Sequence, residues 1–370
     1  MEETKNRGKL GFGLMRLPKI GEEFDDEQIC RMVDAFLAAG YTYFDTAFVY
    51  LGSEEATKRC LVDRYPRDAY TLASKVNVGV VKTAEEAKQQ LEISLQRTGA
   101  GYFDYYLLHA LMPDRYKKFE EYGLWDYIKE KKAEGVIRHI GFSFHATPEI
   151  LEEVLSAHPE VEFVQLQINY ADWENEHIQA RKNYEIVRKY GKKVVIMEPV
   201  KGGRLADPDE AVKALFDAVN PDATYASWAL RFAAGLDGLL AVLSGMSTIE
   251  QMEDNLKTMT DLKPFNEAEQ EAIDKAMDFY AHPVTIPCTA CRYCTDGCPM
   301  QINIPEIFKA YNIVLSGGAM WEAGPAYKRA TKESGKASDC IGCGQCESMC
   351  PQQIPIIETL AKIAEKLEKR

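Results

Sequence analysis

The sequence predicts an α/β fold: a closed, TIM-type (β/α)8 barrel followed by a small, mainly α-helical second domain. Short apolar segments alternate eight times with longer amphipathic, charged ones, the pattern of a parallel sheet whose crossovers are helices. Eight repeats over about 250 residues suit a closed barrel better than an open sheet. An open doubly wound sheet would want a glycine-rich turn leading from its first strand into a helix. Gly11-Phe12-Gly13 is the one candidate, and no helical pattern comes directly after it. Past residue 280 the pattern changes. His282, Pro283 and Pro287 break the alternation, and cysteines crowd the remainder of the chain.

The expected strands cover 12–17, 43–46, 71–76, 103–109, 139–144, 163–169, 194–199 and 239–244. Helical periodicity lies between them at 26–39, 84–98, 124–134 and 183–190, and after the eighth strand at 248–259 and 266–280. A chain of 370 residues invites two domains, placed at 1–280 and 281–370. In the second, 304–315, 325–332 and 357–368 read as helices.

Composition narrows the classes. With 46% hydrophobic and 27% charged residues the chain is globular. A net charge of −13 argues against a nucleic-acid partner, which needs clustered Lys and Arg. Basic and acidic side chains nearly balance in 281–370, so the acidic excess is a solvated surface of the first domain. The first ten residues are charged and unlike a signal peptide, and no apolar run approaches the ~20 residues of a membrane span. Ten cysteines without a secretory signal point to metal ligation in the reducing cytoplasm rather than to disulfides.

Eight of those cysteines form two runs. Cys288, Cys291, Cys294 and Cys298 precede Pro299; Cys340, Cys343, Cys346 and Cys350 precede Pro351. Each reads C-x2-C-x2-C-x3-C-P, the bacterial ferredoxin pattern for a 4Fe-4S cluster. Thiolate suits iron–sulfur clusters or zinc, but zinc sites want two pairs of ligands rather than a triplet plus one. Three sulfurs from one tight loop grip three corners of a cube, and the fourth, turned away at the proline, reaches further. The second domain is therefore expected to hold two 4Fe-4S clusters. A metal centre can also staple a thin core, yet two exceed what stapling needs and favour electron transfer. In two-cluster ferredoxins the fourth cysteine ligates the other cluster. Carried over, Cys288, Cys291, Cys294 and Cys350 hold one cluster, and Cys340, Cys343, Cys346 and Cys298 the second. The long stretch between the runs resembles the α-helical ferredoxin domains of multi-subunit redox enzymes. Cys30 and Cys60 lie outside the runs and read as structural.

Catalytic groups of a barrel gather at strand C-termini. Asp45 ends the second expected strand, with Tyr50 in the loop beyond; Lys75 ends the third and His109 the fourth. Each alone is as well explained by structure. Together they form a set that can do chemistry. A carbonyl that accepts hydride must gain a proton on oxygen, and Tyr50 can donate one, although its ordinary pKa of about 10 is high. A neighbouring Lys75 cation would lower it, with Asp45 holding Lys75 in place and His109 positioning the carbonyl.

Taken with the segments around these four residues, the first 280 positions resemble an aldo-keto reductase. The matching segments are Gly11-Phe12-Gly13-Leu14-Met15-Arg16-Leu17-Pro18, Asp45-Thr46-Ala47 with Tyr50 and Ser53-Glu54, Ser74-Lys75, and Leu107-Leu108-His109. Gly141-Phe142-Ser143, Gln167 with Tyr170, Pro199, and Ser244-Gly245-Met246 with Gln251 and Asn255 also match. The resemblance implies a small carbonyl or alcohol substrate and NADP or NAD stretched across the barrel mouth. It implies cofactor contacts from Gly13, Met15, Arg16, Met197, Pro199 and Met246. Ser143 and Gln167 would lie at the carboxamide, with Ser244, Gln251 and Asn255 toward the pyrophosphate and adenosine. The chain departs from the family in three places. Met197-Glu198 stand where an aromatic residue usually stacks on the nicotinamide. Ser247 and Thr248 stand where a cation usually holds the 2′-phosphate, which leaves NADH open. The second domain replaces the C-terminal loop that closes over substrate. Phe48, Tyr170 and Trp173 are candidate pocket residues and equally candidates for packing.

Nicotinamide moves two electrons as hydride and a 4Fe-4S cluster moves one, and the sequence carries no flavin motif. Three readings are open. The chain is an NAD(P)-linked oxidoreductase whose clusters serve a partner, a ferredoxin or flavoprotein. Alternatively it is an electron-transfer subunit whose barrel docks a partner or binds another cofactor such as a flavin. In the third reading the clusters sense redox state or iron and control an ordinary reductase.

Overall fold

The structure, a computed structural model, describes residues 8–281, 285–315 and 320–368. Eight parallel strands close into a barrel in sequential order: β1 (Leu10–Gly13), β2 (Tyr43–Asp45), β3 (Thr71–Val76), β4 (Phe103–Leu111), β5 (Ile137–Phe144), β6 (Phe163–Gln167), β7 (Lys193–Met197) and β8 (Leu239–Ser244), with β8 pairing back onto β1. The expected strands are all present. The first is displaced: 14–16 curl into a 3-10 turn, and the strand begins earlier, where Leu10 and Phe12 are buried. A two-stranded ribbon, Lys19–Ile20 with Glu23–Phe24, comes after it without having been expected.

Side-chain alternation builds the two layers of the barrel. Tyr43, Ala73, Tyr105, Leu107, Phe163, Val195, Ala241 and Leu243 fill the interior. Their neighbours Phe44, Leu72, Tyr106, Val164, Val194 and Val242 face the helices. The helices that cover them end where local chemistry dictates. Helix α1 (Asp26–Ala38) is capped by Asp25, whose side chain accepts from Gln28 N at 3.0 Å, and buries Ile29, Met32, Val33 and Phe36 at helical spacing. Helix α2 (Ala84–Thr98) starts at the Thr83 cap and stops at Gly99, whose φ of 66° suits glycine.

Helices α3 (Tyr225–Ala234) and α4 (Glu267–Ala281) are tied by Arg231, which grips Glu269 with both nitrogens at 2.8 and 2.7 Å. Both side chains are nearly buried, and the guanidinium helps hold the Glu269 carboxyl down at about 2 against the cost of burial. Glu269→Gln is expected to destabilise the protein by roughly 3–5 kcal/mol at pH 7, because Arg231 is left buried and unpaired. A depressed carboxylate contributes above its unfolded value of about 4.3 and loses that contribution as pH falls toward 2. Urea unfolding of wild type and variant should therefore converge across that window.

The second domain is helical. Helices α5 (Ile304–Leu315), α6 (Met320–Ala330) and α7 (Ile356–Leu367) pack around Ile302, Ile304, Ile307, Phe308, Ile356, Leu360 and Ile363 together with Cys294, Cys346 and Cys350. The breakers His282 and Pro283, at the expected boundary, lie outside the described residues. No helix among the described residues is long and apolar enough to cross a membrane.

Candidate active site and cluster cradles

The interior alternation of the barrel aims three of the four expected catalytic side chains, and Tyr50 comes from the loop after β2. Two residues beyond Tyr43, Ala73 and Leu107, on the same inward face, come Asp45, Lys75 and His109. Lys75 is fully buried and donates to Asp45 Oδ1 at 2.5 Å and to the Thr46 carbonyl at 2.6 Å. Its Nζ lies 4.9 Å from the centre of the Tyr50 ring, and that ring meets the His109 imidazole edge-on at 5.8 Å. The strand ends and the loop after β2 thus bring all four together.

His109 owes its aim to a bulge. The β4–β5 register shifts between Leu108 and Leu111, and Ala110 takes a φ of 59°. The Ala110 N–H donates to the Ser143 hydroxyl at 2.8 Å, so Ser143 fixes the bulge. Glu198 and Lys201, with φ of 56° and 49°, mark the same rim of the barrel.

Burial governs the charges. It pushes Lys75 down and Asp45 up, and each is partly restored by the other. His109 is driven well below its ordinary value by burial and by the nearby Lys75, His145 and Arg115, so its imidazole is neutral. Tyr50 differs from expectation. Its phenol is held well above the ordinary value, chiefly by burial and next by Tyr293 and Asp45. The reason is tertiary: the second domain lies over the barrel mouth.

The other expected residues divide into two groups. Ser244, at the end of β8, accepts from Asn255 at 2.7 Å, and Gln251 accepts from Ser247 N at 2.7 Å, so these three share one corner with buried Met246. Gly13 ends β1 beside the Ser244 carbonyl, and the Arg16 carbonyl accepts from the Ser247 hydroxyl at 2.7 Å. The Arg16 guanidinium turns instead to the Thr289 carbonyl, 3.1 Å away, and Met15 Sδ receives the Tyr293 hydroxyl at 3.8 Å. At the opposite side, half-buried Met197 takes a hydrogen bond from Gln165 at 3.5 Å, and buried Pro199 comes next to Glu198. Gln167 donates to Asp172 at 2.8 Å and pairs with Gln352 of the second domain.

Sequence reasoning missed the polar seam. Lys201 is buried against Asp172 and reaches Gln352 at 3.3 Å, while Asn169 donates to Asp172 at 2.7 Å. Arg115, also buried, donates to the Ser348 carbonyl at 2.6 Å. None of these lies in a motif. The one available signal was Tyr293, inside the first cysteine run.

The cysteines line two small cavities. Cys288, Cys291, Cys294 and Cys350 surround one; Cys298, Cys340, Cys343 and Cys346 surround the other. No cluster of three His, Cys, Asp or Glu side chains among the described residues is tight enough for a single metal ion. Four soft thiols gathered around one cavity suit an iron–sulfur cluster. Ile304 lines both cavities, so they are one side chain apart. The first cavity faces the barrel through Thr289 and Gln352; the second opens outward at exposed Cys343 and Ile341.

The sequence model of the aldo/keto reductase family matches residues 9–278. The chain belongs to the aldo/keto reductase family. A model of the 4Fe-4S dicluster domain matches residues 287–354 behind this barrel. Aldo-keto reductase str7 of Strobilurus tenacellus is 28% identical over 211 residues, 53% of this chain and 59% of that protein. The NAD/NADP-dependent indole-3-acetaldehyde reductase of Schizosaccharomyces pombe is 31% identical over 119 residues, 32% of this chain and 40% of its own length. The chain thus spans between two fifths and three fifths of these relatives. Among solved structures, the aldo/keto reductase barrel resembles the thermostable aldo-keto reductase Tm1743 in complex with epalrestat, at TM-score 0.60 and 25% identity, over 74% of this chain and 98% of that one. It shares its fold with an aldo/keto reductase from Klebsiella pneumoniae in complex with NADP and acetate, at TM-score 0.58 and 20% identity, over 76% and 96%.

Proposed function

We propose that the protein is an iron–sulfur oxidoreductase that reduces a small carbonyl compound, or oxidises the corresponding alcohol, with NADP or NAD at the barrel and two 4Fe-4S clusters in the second domain. The assembled set of Tyr50, Lys75, Asp45 and His109 is the observation that carries this reading. The relative whose name includes both NAD and NADP supports the choice of cofactor. So does an amide-binding position: Gln167 already holds the carboxamide of Gln352. When bound, a nicotinamide supplies or takes hydride and the clusters supply or take single electrons. The chain's own residues do the rest. Tyr50 holds the proton destined for the carbonyl oxygen. Lys75, fixed by Asp45, places positive charge beside it, and neutral His109, whose Nδ1 has no partner, is free to hydrogen-bond and orient the substrate. The domains are assigned to 1–280 and 281–370, and the cluster ligands to the two sets of four cysteines that share cavities.

One observation favours a second reading, in which the barrel of an electron-transfer subunit serves as a docking platform. Gln167 bonds to Gln352 of the second domain, and Tyr293 of that domain lies beside Tyr50. Anaerobic reconstitution and then titration with NADH and NADPH separates the two. Saturable binding with turnover of a simple aldehyde is the expected result. Failure of either nucleotide to bind the cluster-loaded protein would leave the docking reading. Bleaching of the cluster absorbance by a nicotinamide would join the two halves, and its absence would place a ferredoxin or flavoprotein between them.

A further inference from the structure

Two side chains of the second domain occupy hydrogen-bonding positions that the barrel's ligands need. The Tyr50 hydroxyl, which must donate to a carbonyl oxygen in order to protonate it, has Tyr293 of the second domain beside it, and the Tyr293 hydroxyl reaches Met15 Sδ on the same rim at 3.8 Å. The Gln167 carboxamide exchanges two hydrogen bonds with the Gln352 carboxamide, at 3.1 and 3.0 Å. Nicotinamide presents the same group, a primary carboxamide with one acceptor oxygen and an NH2 donor. We propose that the cysteine loops are an internal pseudo-ligand of the barrel, with the Tyr293 hydroxyl in the place of the substrate oxygen and the Gln352 carboxamide in that of the cofactor. Nucleotide binding and docking of the second domain then exclude each other. This rests on the nicotinamide reading above and adds a device that gates it.

The seam is built for close contact that can part. Gly202, at φ 65°, has no side chain where one would collide: a Cβ there would stand 2.7 Å from the Thr289 carbonyl oxygen. Around it the contacts are polar and directional, with Arg16 on Thr289, Arg115 on Ser348, and Gln353 on the His145 carbonyl at 3.3 Å. No hydrophobic cluster of described residues spans the seam. One cluster contains only second-domain residues and the others only barrel residues. Lifting the loops therefore breaks hydrogen bonds that water can replace and leaves both cores whole. The linkage is reciprocal: whatever weakens docking strengthens nucleotide binding by the same factor.

The test uses cluster-loaded protein under anaerobic conditions. NADH and NADPH are titrated into wild type, Tyr293→Phe, Gln352→Ala and the double variant, with iron and sulfide content measured for each. Loss of a net hydrogen bond from the docked state predicts a Kd lower by about tenfold in each single variant, and lower again in the double. Amide hydrogen exchange at 289–293 and 351–353 of wild type should rise when nucleotide saturates the barrel. Tyr293→Phe keeps the ring and its packing, so it guards against a folding defect. Equal Kd values in all four proteins, with exchange unaltered by nucleotide, would overturn the pseudo-ligand while leaving the nicotinamide reading intact. Absence of binding even in the double variant would overturn both.

Discussion

Tyr50→Phe is expected to lower the rate of carbonyl reduction by about 10²–10⁴, the range of a lost general acid. The substitution removes one oxygen and keeps the ring that Lys75 and His109 pack against. Neither partner can replace the lost donor. Lys75 is committed to Asp45 and the Thr46 carbonyl, and His109 is held neutral by burial and by the cations around it. The effect should fall on kcat, because no nucleotide contact is expected from the hydroxyl. Nucleotide affinity should not fall, since the hydroxyl faces Tyr293 of the docked domain. Steady-state kinetics alongside direct nucleotide titration measures both. Reduction within twofold of wild type would mean that the set at the barrel mouth is not the acid–base machinery, and would favour the docking-platform reading.

The second large effect concerns Cys350. It belongs by sequence to the second run, yet it faces the cavity of Cys288, Cys291 and Cys294. Cys350→Ser is therefore expected to cost the cluster next to the barrel, about half of the bound iron, while the outer cluster survives. A double-variant comparison makes this discriminating. If Cys350 and Cys288 serve one cluster, Cys350→Ser with Cys288→Ser loses no more iron than either alone. If each run holds its own cluster, the double variant loses both. Iron and sulfide analysis with spectra of the dithionite-reduced protein reads the result. The same logic pairs Cys298 with Cys340.

Much of this was legible in the chain. Eight apolar segments at barrel spacing and two cysteine runs are local patterns, and local patterns survive being read one residue after another. Three of the four site residues were legible because they sit at strand ends, where period-two alternation fixes the inward face: Asp45 lies two residues beyond Tyr43, and Lys75 two beyond Ala73. The first strand was misplaced because 14–16 carry strand-like residues but curl into a turn, and only the pairing of Leu10 to Phe12 with β8 and β2 reveals it.

By itself the sequence determined the two domains' raw materials: thiols at ferredoxin spacing, and a tyrosine, a lysine and an aspartate at the C-terminal rim of a barrel. What it left open was how the halves meet. That depends on contacts between residues far apart in the chain, such as Gln167 with Gln352, Arg16 with Thr289 and Arg115 with Ser348. Such contacts carry no periodicity and no spacing signature, because either partner is ordinary without the other. Only the tertiary structure brought Tyr293 to Tyr50. The physical reason is the close approach allowed at Gly202 and the amide pair of Gln167 and Gln352, which set a cysteine loop directly over the barrel mouth.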